Sequence, residues 1–406
     1  MDMPLRISPF FEFLNRRDER GFASFMAHAE LDENYIDWNG CVLPYEFGNA
    51  EAEQEYQSIR HECALFDVSP MRKIRIKGAD AGRFLDHLLT RPVSEAKSLQ
   101  GIYVVFCNPD GTLKDDAIVF KFSDDDYLLL PSDIDHSAYF LELAAQIGCD
   151  SLEVVECTQT LAGLALQGPL AAAVASELGF KGVEQLAPYE LRHFPFLTGE
   201  ILIARMGFTA DLGYEFWMDP KHCAGFMEAL EKVRTQLQLK VPGYGLSALE
   251  ACRIEGGFIV AGWDFSTELD PVPGFERNPF EVGLGWAVDL NSADFVGKAA
   301  LSELKSGSRY VIRRLAAETN EPLAGLDIFA TVEGNDVVIG SVNCSSWSWG
   351  LQKTIGNASI EKTNASVQAG WVDVAGERVE VALTRGPFVN FKRRDQIPAD
   401  MDLNRQ

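Results

Sequence analysis

The sequence has no long hydrophobic run, no paired cysteine spacing and few basic residues, and each absence removes a class of protein. No apolar stretch approaches the roughly 20 residues of a membrane-spanning helix, and Met1 to Arg6 carry no signal-peptide core. The expectation is a cytoplasmic protein with no membrane partner. Lys and Arg number 36 against 60 Asp and Glu, a formal charge of −24. A chain this acidic is repelled by nucleic acid and by anionic membrane surfaces. The eight cysteines, at 41, 63, 107, 149, 157, 223, 252 and 344, form no C-x-x-C pair, which suits reduced thiols rather than a disulfide framework or a zinc site. The six histidines are isolated as well, so no metal is expected. There is no G-x-G-x-x-G after a strand, no P-loop, no nucleophile-elbow serine and no H-E-x-x-H. Dinucleotide redox chemistry, phosphoryl transfer and serine hydrolysis lose their sequence support with them.

What is present is an ordinary globular composition, 47% hydrophobic over 406 residues, long enough for two or three domains. The first 35 residues, with Phe10, Phe11 and Phe13, read as an extension that docks on the body. Helical character over Glu51 to Cys63, a buried strand at Ala64 to Val68, alternation over Lys73 to Lys77 and an apolar helical face at Phe84, Leu85, Leu88 and Leu89 predict an α+β unit ending near residue 150. A second α+β unit starts at Leu161 to Leu166, where Pro169 suits the first turn of an Ala-rich helix. From Asp327 onward, short strands punctuated by Gly and Asn predict an all-β domain.

Cys107 to Phe122 is the stretch richest in chemistry. Asn108-Pro109-Asp110-Gly111 is a turn signal, and Ala117 to Phe122 reads as a strand of β-branched and aromatic residues. Asp115 and Asp116 stand at its entrance and, by strand alternation, point to opposite faces. The inward one is either hydrogen-bonded for structure or held for chemistry.

Ala64-Leu65-Phe66-Asp67-Val68-Ser69, the Asn108 to Asp116 turn, Leu166-Gln167-Gly168-Pro169, Gly213-Tyr214-Glu215, Arg253-Ile254-Glu255-Gly256-Gly257, Asn278 through Trp286 to Lys298, and Pro387-Phe388-Val389 follow one another in order. This series resembles the glycine-cleavage T proteins, a folate-binding aminomethyltransferase superfamily, over roughly residues 36 to 392. The resemblance implies a three-domain cloverleaf around a central hole that binds tetrahydrofolate: a discontinuous first domain, 1–55 and 152–270, an α+β second domain, 56–151 and 271–300, and a C-terminal β domain, 301–406. It implies that Asp116 lies against the reactive nitrogens of the pterin, with Asp115 left to cap the turn. Glu215 would grip the pterin's amino group and ring nitrogen, since a carboxylate accepts two donors side by side, with Gly213 allowing close approach. Tyr103 and Trp286 match aromatic positions beside the folate, although either suits a plain core. Arg253 would reach the folate tail or pair with Glu250 at i and i+3.

Three positions depart from the T-protein pattern. Pro70, Pro131 and Leu249 stand where those proteins carry His, Asn and Arg. The losses point toward the branch of the superfamily that demethylates a small donor: a sulfonium, an ammonium or amine, or, less readily, an aryl ether. Trp347 and Trp349, on alternate positions, would form part of an aromatic cage for a methylated cation, or simply pack a hairpin. A true aminomethyltransferase is the alternative. A non-catalytic iron–sulfur assembly factor is disfavoured because Val296-Gly297-Lys298-Ala299 lacks that group's cysteine. The expected partner is a small-molecule methyl donor, with a homodimer left open.

Overall fold

The computed structural model describes residues 5–14, 35–47 and 52–400. Residues 15–34 of the expected N-terminal extension lie outside them. The described part of that extension does dock: Phe10 and Leu14 enter the core of the first sheet, and Phe13 packs against it.

That first sheet is antiparallel, in the order β10 (Leu191–Phe196), β11 (Gly199–Ala204), β12 (Gly213–Met218), β9 (Ala162–Gln167) and β3 (Ala64–Asp67). One face buries Leu164, Leu166, Phe216 and Ile203 against α5 (Ala171–Glu177) and α6 (Cys223–Leu237). The Gln-Gly-Pro motif has a steric basis. Gly168 has φ +131°, and a Cβ there would meet the carbonyl oxygens of Glu62 and Ile59 at 2.6 and 2.7 Å, so only glycine lets β9 turn beside α2 (Ala52–His61).

The second sheet has the order β5 (Gln100–Cys107), β6 (Leu113–Ser123), β7 (Asp126–Pro131), β4 (Ile74–Lys77) and β8 (Glu153–Glu156). It covers one face with α3 (Ala81–Leu88) and α4 (Ser137–Gln146), burying Phe84, Leu85, Phe106 and Phe140. Its opposite face packs on the first sheet: Phe120, Leu128 and Leu130 share a core with Phe66, Trp217 and Tyr244. The third unit is a closed six-stranded barrel: β13 (Tyr310–Ala317), β16 (Lys353–Glu361), β15 (Asn335–Ser348), β14 (Asp327–Val332), β17 (Ala369–Val374) and β18 (Glu377–Thr384). Closure leaves no strand edge unpaired. The α+β class and the all-β C-terminal domain therefore hold, with the barrel opening one strand earlier than Asp327.

The sheets divide the chain differently from the expected boundaries. β3 pairs with β9 from Ala64↔Gln167 to Asp67↔Leu164, so it belongs to the first sheet. β8 pairs with β4 and belongs to the second. The break expected at residue 55 falls inside α2, and the one at 300 falls inside α8 (Lys298–Gly307), whose Leu301 shares a core with Val105 and Leu113. Pairing over such separations leaves no local periodicity to read.

All three units meet at α7 (Leu246–Glu255). Its Glu255 accepts from Arg60 Nη2 at 2.7 Å, from the Tyr56 hydroxyl at 2.8 Å and from Ser348 Oγ at 2.5 Å, joining α2 to the barrel. Arg60 also pairs with Asp211 at 3.4 Å. Arg393, in α9 (Lys392–Asp395), closes on the same Asp211 with two bonds of 2.6 and 2.8 Å, while Arg205 donates to the carbonyls of Arg393 and Arg394. Among the described residues no helix is long and apolar enough to cross a membrane.

Candidate functional site

The doubled aspartate lies within β6, as its third and fourth residues, rather than at the expected entrance. The register Val105↔Asp116 and Phe106↔Asp115 sends the two side chains to opposite faces. Asp115 turns toward the core under α4 and Asp116 toward the junction of the three units. The turn is capped by neither. Asp110 Oδ1 accepts from the Thr112 backbone N–H at 3.0 Å and from its hydroxyl at 2.7 Å. Asp115, expected to cap that turn, is instead fully buried, with Ser132 Oγ and His136 Nε2 each 2.8 Å from its Oδ2. A completely enclosed carboxylate requires such donors, and the turn could not supply them.

Asp116 is half-buried and accepts from the Tyr103 hydroxyl at 2.8 Å. Burial pushes its carboxyl up to about 7, assisted by the negative Asp115 and, more weakly, Asp264, while the Tyr103 hydrogen bond opposes the shift. Tyr103 is itself held well above the usual phenol range by burial and by Asp116, so it remains a donor. Its ring stacks on Trp286, centroids 5.5 Å apart and 29° between planes. Trp286 is 62% exposed. The Asn-Pro-Phe-Glu motif explains this presentation: Asn278 Oδ1 accepts from the N–H groups of Phe280 and Glu281, and Glu281 accepts from those of Arg309 and Tyr310. The loop is tied to the start of the barrel while the indole stays open.

Glu215 sits on the central strand β12, on the face that carries Trp217. It is 4% exposed, and its Oε2 has no hydrogen-bond partner, nor has Trp217 Nε1. Burial raises the carboxyl to about 7, against the opposing effects of the Trp217 indole and the Lys73 ammonium. Lys73, fully buried, donates to the carbonyls of Ser69 and Met71 at 2.8 and 2.7 Å, lies over the Trp217 ring at 5.3 Å and is pulled down to about 8 by burial. Gly213 does not open space for a ligand as expected. A Cβ there would strike the Gln167 side chain at 2.2 Å, so the missing side chain makes room for that amide, which is held by Thr209 Oγ1 and the Met206 carbonyl.

The other expected residues separate. Arg253 has no exposed surface and commits its guanidinium to Glu250 at 2.6 and 2.8 Å, Asp264 at 3.0 Å and the Phe258 carbonyl. The helix pair is the arrangement adopted, and a reach toward the folate tail is corrected accordingly. Strand alternation does not support the expected pairing of Trp347 with Trp349. β15 ends at Ser348, so alternation fails to carry Trp349, whose ring packs on Tyr56 at 5.6 Å. Pro131 lies in β7 opposite Ala117, Pro70 offers only its carbonyl, to Asn39, and Leu249 is buried in the apolar core between the sheets. Sequence reasoning missed Lys73, His136 and Asp264. Lys73 alone carried a local signal, a lysine opening a half-buried strand.

Comparison with known proteins identifies the family and the fold. Residues 25–292 match the model of the GCVT N-terminal domain. The aminomethyltransferase of Thermotoga maritima is 29% identical over 92% of this chain and 98% of its own. A trimethylamine-oxide aldolase of Ruegeria pomeroyi is 29% identical over 91% of this chain and 47% of its own. The glycine cleavage system aminomethyltransferase T of Bartonella henselae superposes with a TM-score of 0.77 over 95% of this chain and 98% of that structure, at 23% identity, which establishes a shared fold. Because the family model spans well over half of the chain, the chain belongs to the GCVT family, the glycine-cleavage T superfamily of folate-dependent transferases.

Proposed function

We propose that this protein transfers a methyl group from a small methylated cation, a sulfonium or ammonium compound, to N5 of tetrahydrofolate. Tetrahydrofolate is the family's one-carbon acceptor, and the residues present fit it. The unpartnered Oε2 of buried Glu215 calls for a donor from outside the protein, and the open face of Trp286 suits a flat ring. When bound, tetrahydrofolate supplies a secondary amine as nucleophile. Glu215 would hold the pterin's adjacent donors, Tyr103 fixes Asp116, and Asp116 takes the proton released from that amine, a task suited to a carboxyl near 7.

The observation that carries the donor class is the charge around Asp116. Asp115 and Asp264 are its charged neighbours, and Arg253, which pairs with Asp264, is shared with a second carboxylate, Glu250. An acidic site of this kind favours a cationic donor. An onium compound also leaves as a neutral molecule, so no acid is needed and catalysis rests on alignment, which contributes roughly 7–11 kcal/mol. The three apolar departures, Pro70, Pro131 and Leu249, support the same reading by withdrawing polar side chains from T-protein positions. Anaerobic incubation with tetrahydrofolate and a panel of methylated sulfonium and ammonium compounds is expected to yield 5-methyltetrahydrofolate. Methylenetetrahydrofolate and ammonia from an aminomethyl-lipoyl carrier would instead establish the second reading, aminomethyl transfer, which the names of the most similar relatives favour.

Two smaller effects follow from the same geometry. Trp286→Ala removes one stacking face and is expected to weaken folate binding by roughly 2- to 10-fold, the worth of one aromatic pair, read by fluorescence titration. Folate affinity also depends on pH. Glu215 accepts donors only as the carboxylate, so below its value of about 7 binding must first expel a proton. Affinity is expected to fall by up to about tenfold per pH unit below that point. Calorimetry in two buffers of different ionisation enthalpy checks this, and equal heats at pH 6 would contradict it.

A further inference from the structure

Behind Asp116, on the opposite face of β6, lies a closed group of polar side chains of which the scheme above uses only the charge of Asp115. Asp115 Oδ1 accepts from the backbone N–H of Asp116 at 2.8 Å, and its Oδ2 contacts Ser132 Oγ and His136 Nε2 at the same distance. Asp115 and His136 are 0% and 2% exposed. The imidazole is wedged between Phe106, edge-on at 4.9 Å, and Phe140, stacked at 5.7 Å, so its plane and its aim at Asp115 are fixed by packing.

A buried carboxylate held by three donors and joined to the next residue's amide acts on that residue in two ways. It fixes the backbone from which Asp116 projects, and it places a like charge one residue away in a medium of low dielectric. The other groups facing Asp116 are Tyr103 on β5 and Asp264 from the segment after α7. Arg253 and Glu250 stand behind Asp264, Asp133 stands near Asp115, and Tyr189 stands near Tyr103. Asp115 is the only one of these on the same strand as Asp116.

We propose that Asp115 and His136 are positioning residues: the Asp115 carboxylate, oriented by His136 and Ser132, sets the protonation of Asp116 through β6 and holds its direction. The raised carboxyl of Asp116, to which Asp115 contributes after burial, is consistent with this. The inference rests on Asp116 serving as the base, so its first readout, the protonation midpoint, is taken without turnover.

The protonation midpoint of Asp116 is measured in the folate-free full chain from its ¹³C carboxyl shift, assigned by the signal lost in Asp116→Asn. Asp115→Asn removes the like charge and is expected to lower that midpoint by about one pH unit or more. His136→Leu takes away the donor that aims the Asp115 carboxylate and is expected to shift the midpoint as well. His136→Gln, which keeps an N–H, leaves it where it is. The acid limb of the pH–rate profile moves in parallel with the midpoint. Should Asp115→Asn fail to fold, the two His136 variants carry the comparison. A midpoint unmoved in every soluble variant overturns the proposal, as does a rate loss uniform across pH. Full turnover by Asp116→Asn would refute the base role separately and leave the midpoint result standing.

Discussion

Asp116→Asn is expected to lower the rate of the proposed methyl transfer by roughly 10²–10⁴-fold, the usual worth of a positioned base, while folate still binds. The amide oxygen can accept the Tyr103 hydrogen bond as Asp116 does at 2.8 Å, so the site keeps its shape; what it loses is a proton acceptor. Single-turnover formation of 5-methyltetrahydrofolate under anaerobic conditions measures this, alongside a folate titration. In the parent protein the rate should fall as pH drops below about 7, because the protonated carboxyl is no longer a base. The Asn variant should lose that limb. Undiminished turnover by the variant would remove Asp116 from the mechanism.

The second large effect falls on binding. Glu215→Gln is expected to weaken folate affinity by roughly 100-fold, because two charge-assisted hydrogen bonds, each worth about 1.5–3 kcal/mol, are replaced by one neutral acceptor and a donor facing donors. The same substitution should not destabilise the free protein at pH 8. The raised carboxyl of Glu215 means that its contribution to stability is fully present only below the unfolded-chain value and is lost as pH rises through about 7. A neutral amide does not bear that loss. Thermal unfolding of parent and variant at pH 5 and pH 8 tests the sign: the variant should gain relative to the parent at the higher pH. A variant that unfolds earlier at both while binding folate normally would make Glu215 a structural residue.

How much of this was legible in the sequence depended on how local the signal was. The alternation of Asp115 and Asp116 is a property of two adjacent residues, so their opposite faces could be read directly. What each face meets could not. His136 lies 21 residues beyond Asp115 and reaches it only because α4 folds back over the second sheet. The helix pair of Arg253 with Glu250 was local and visible, whereas Asp264, which completes the commitment of that guanidinium, sits in an irregular segment with no periodicity. β5 passed unnoticed, although it supplies Tyr103, because its apolar run follows a turn-rich stretch and merges with the turn before β6. The tryptophan pair loses its argument from alternation, which is valid only while a strand lasts, because β15 stops between the two indoles.

The clamp on Asp211 bears on how the chain is made. Arg60 precedes this carboxylate, but Arg393 follows it by 182 residues. At about 5–20 residues per second on the ribosome, that interval is roughly ten to forty seconds. During it the nascent first sheet holds a buried carboxylate with one distant cation instead of two. The later-made segment thus seals the earlier-made first sheet, and a translational pause before Arg393 would lengthen the time that sheet spends unsealed and open to proteolysis.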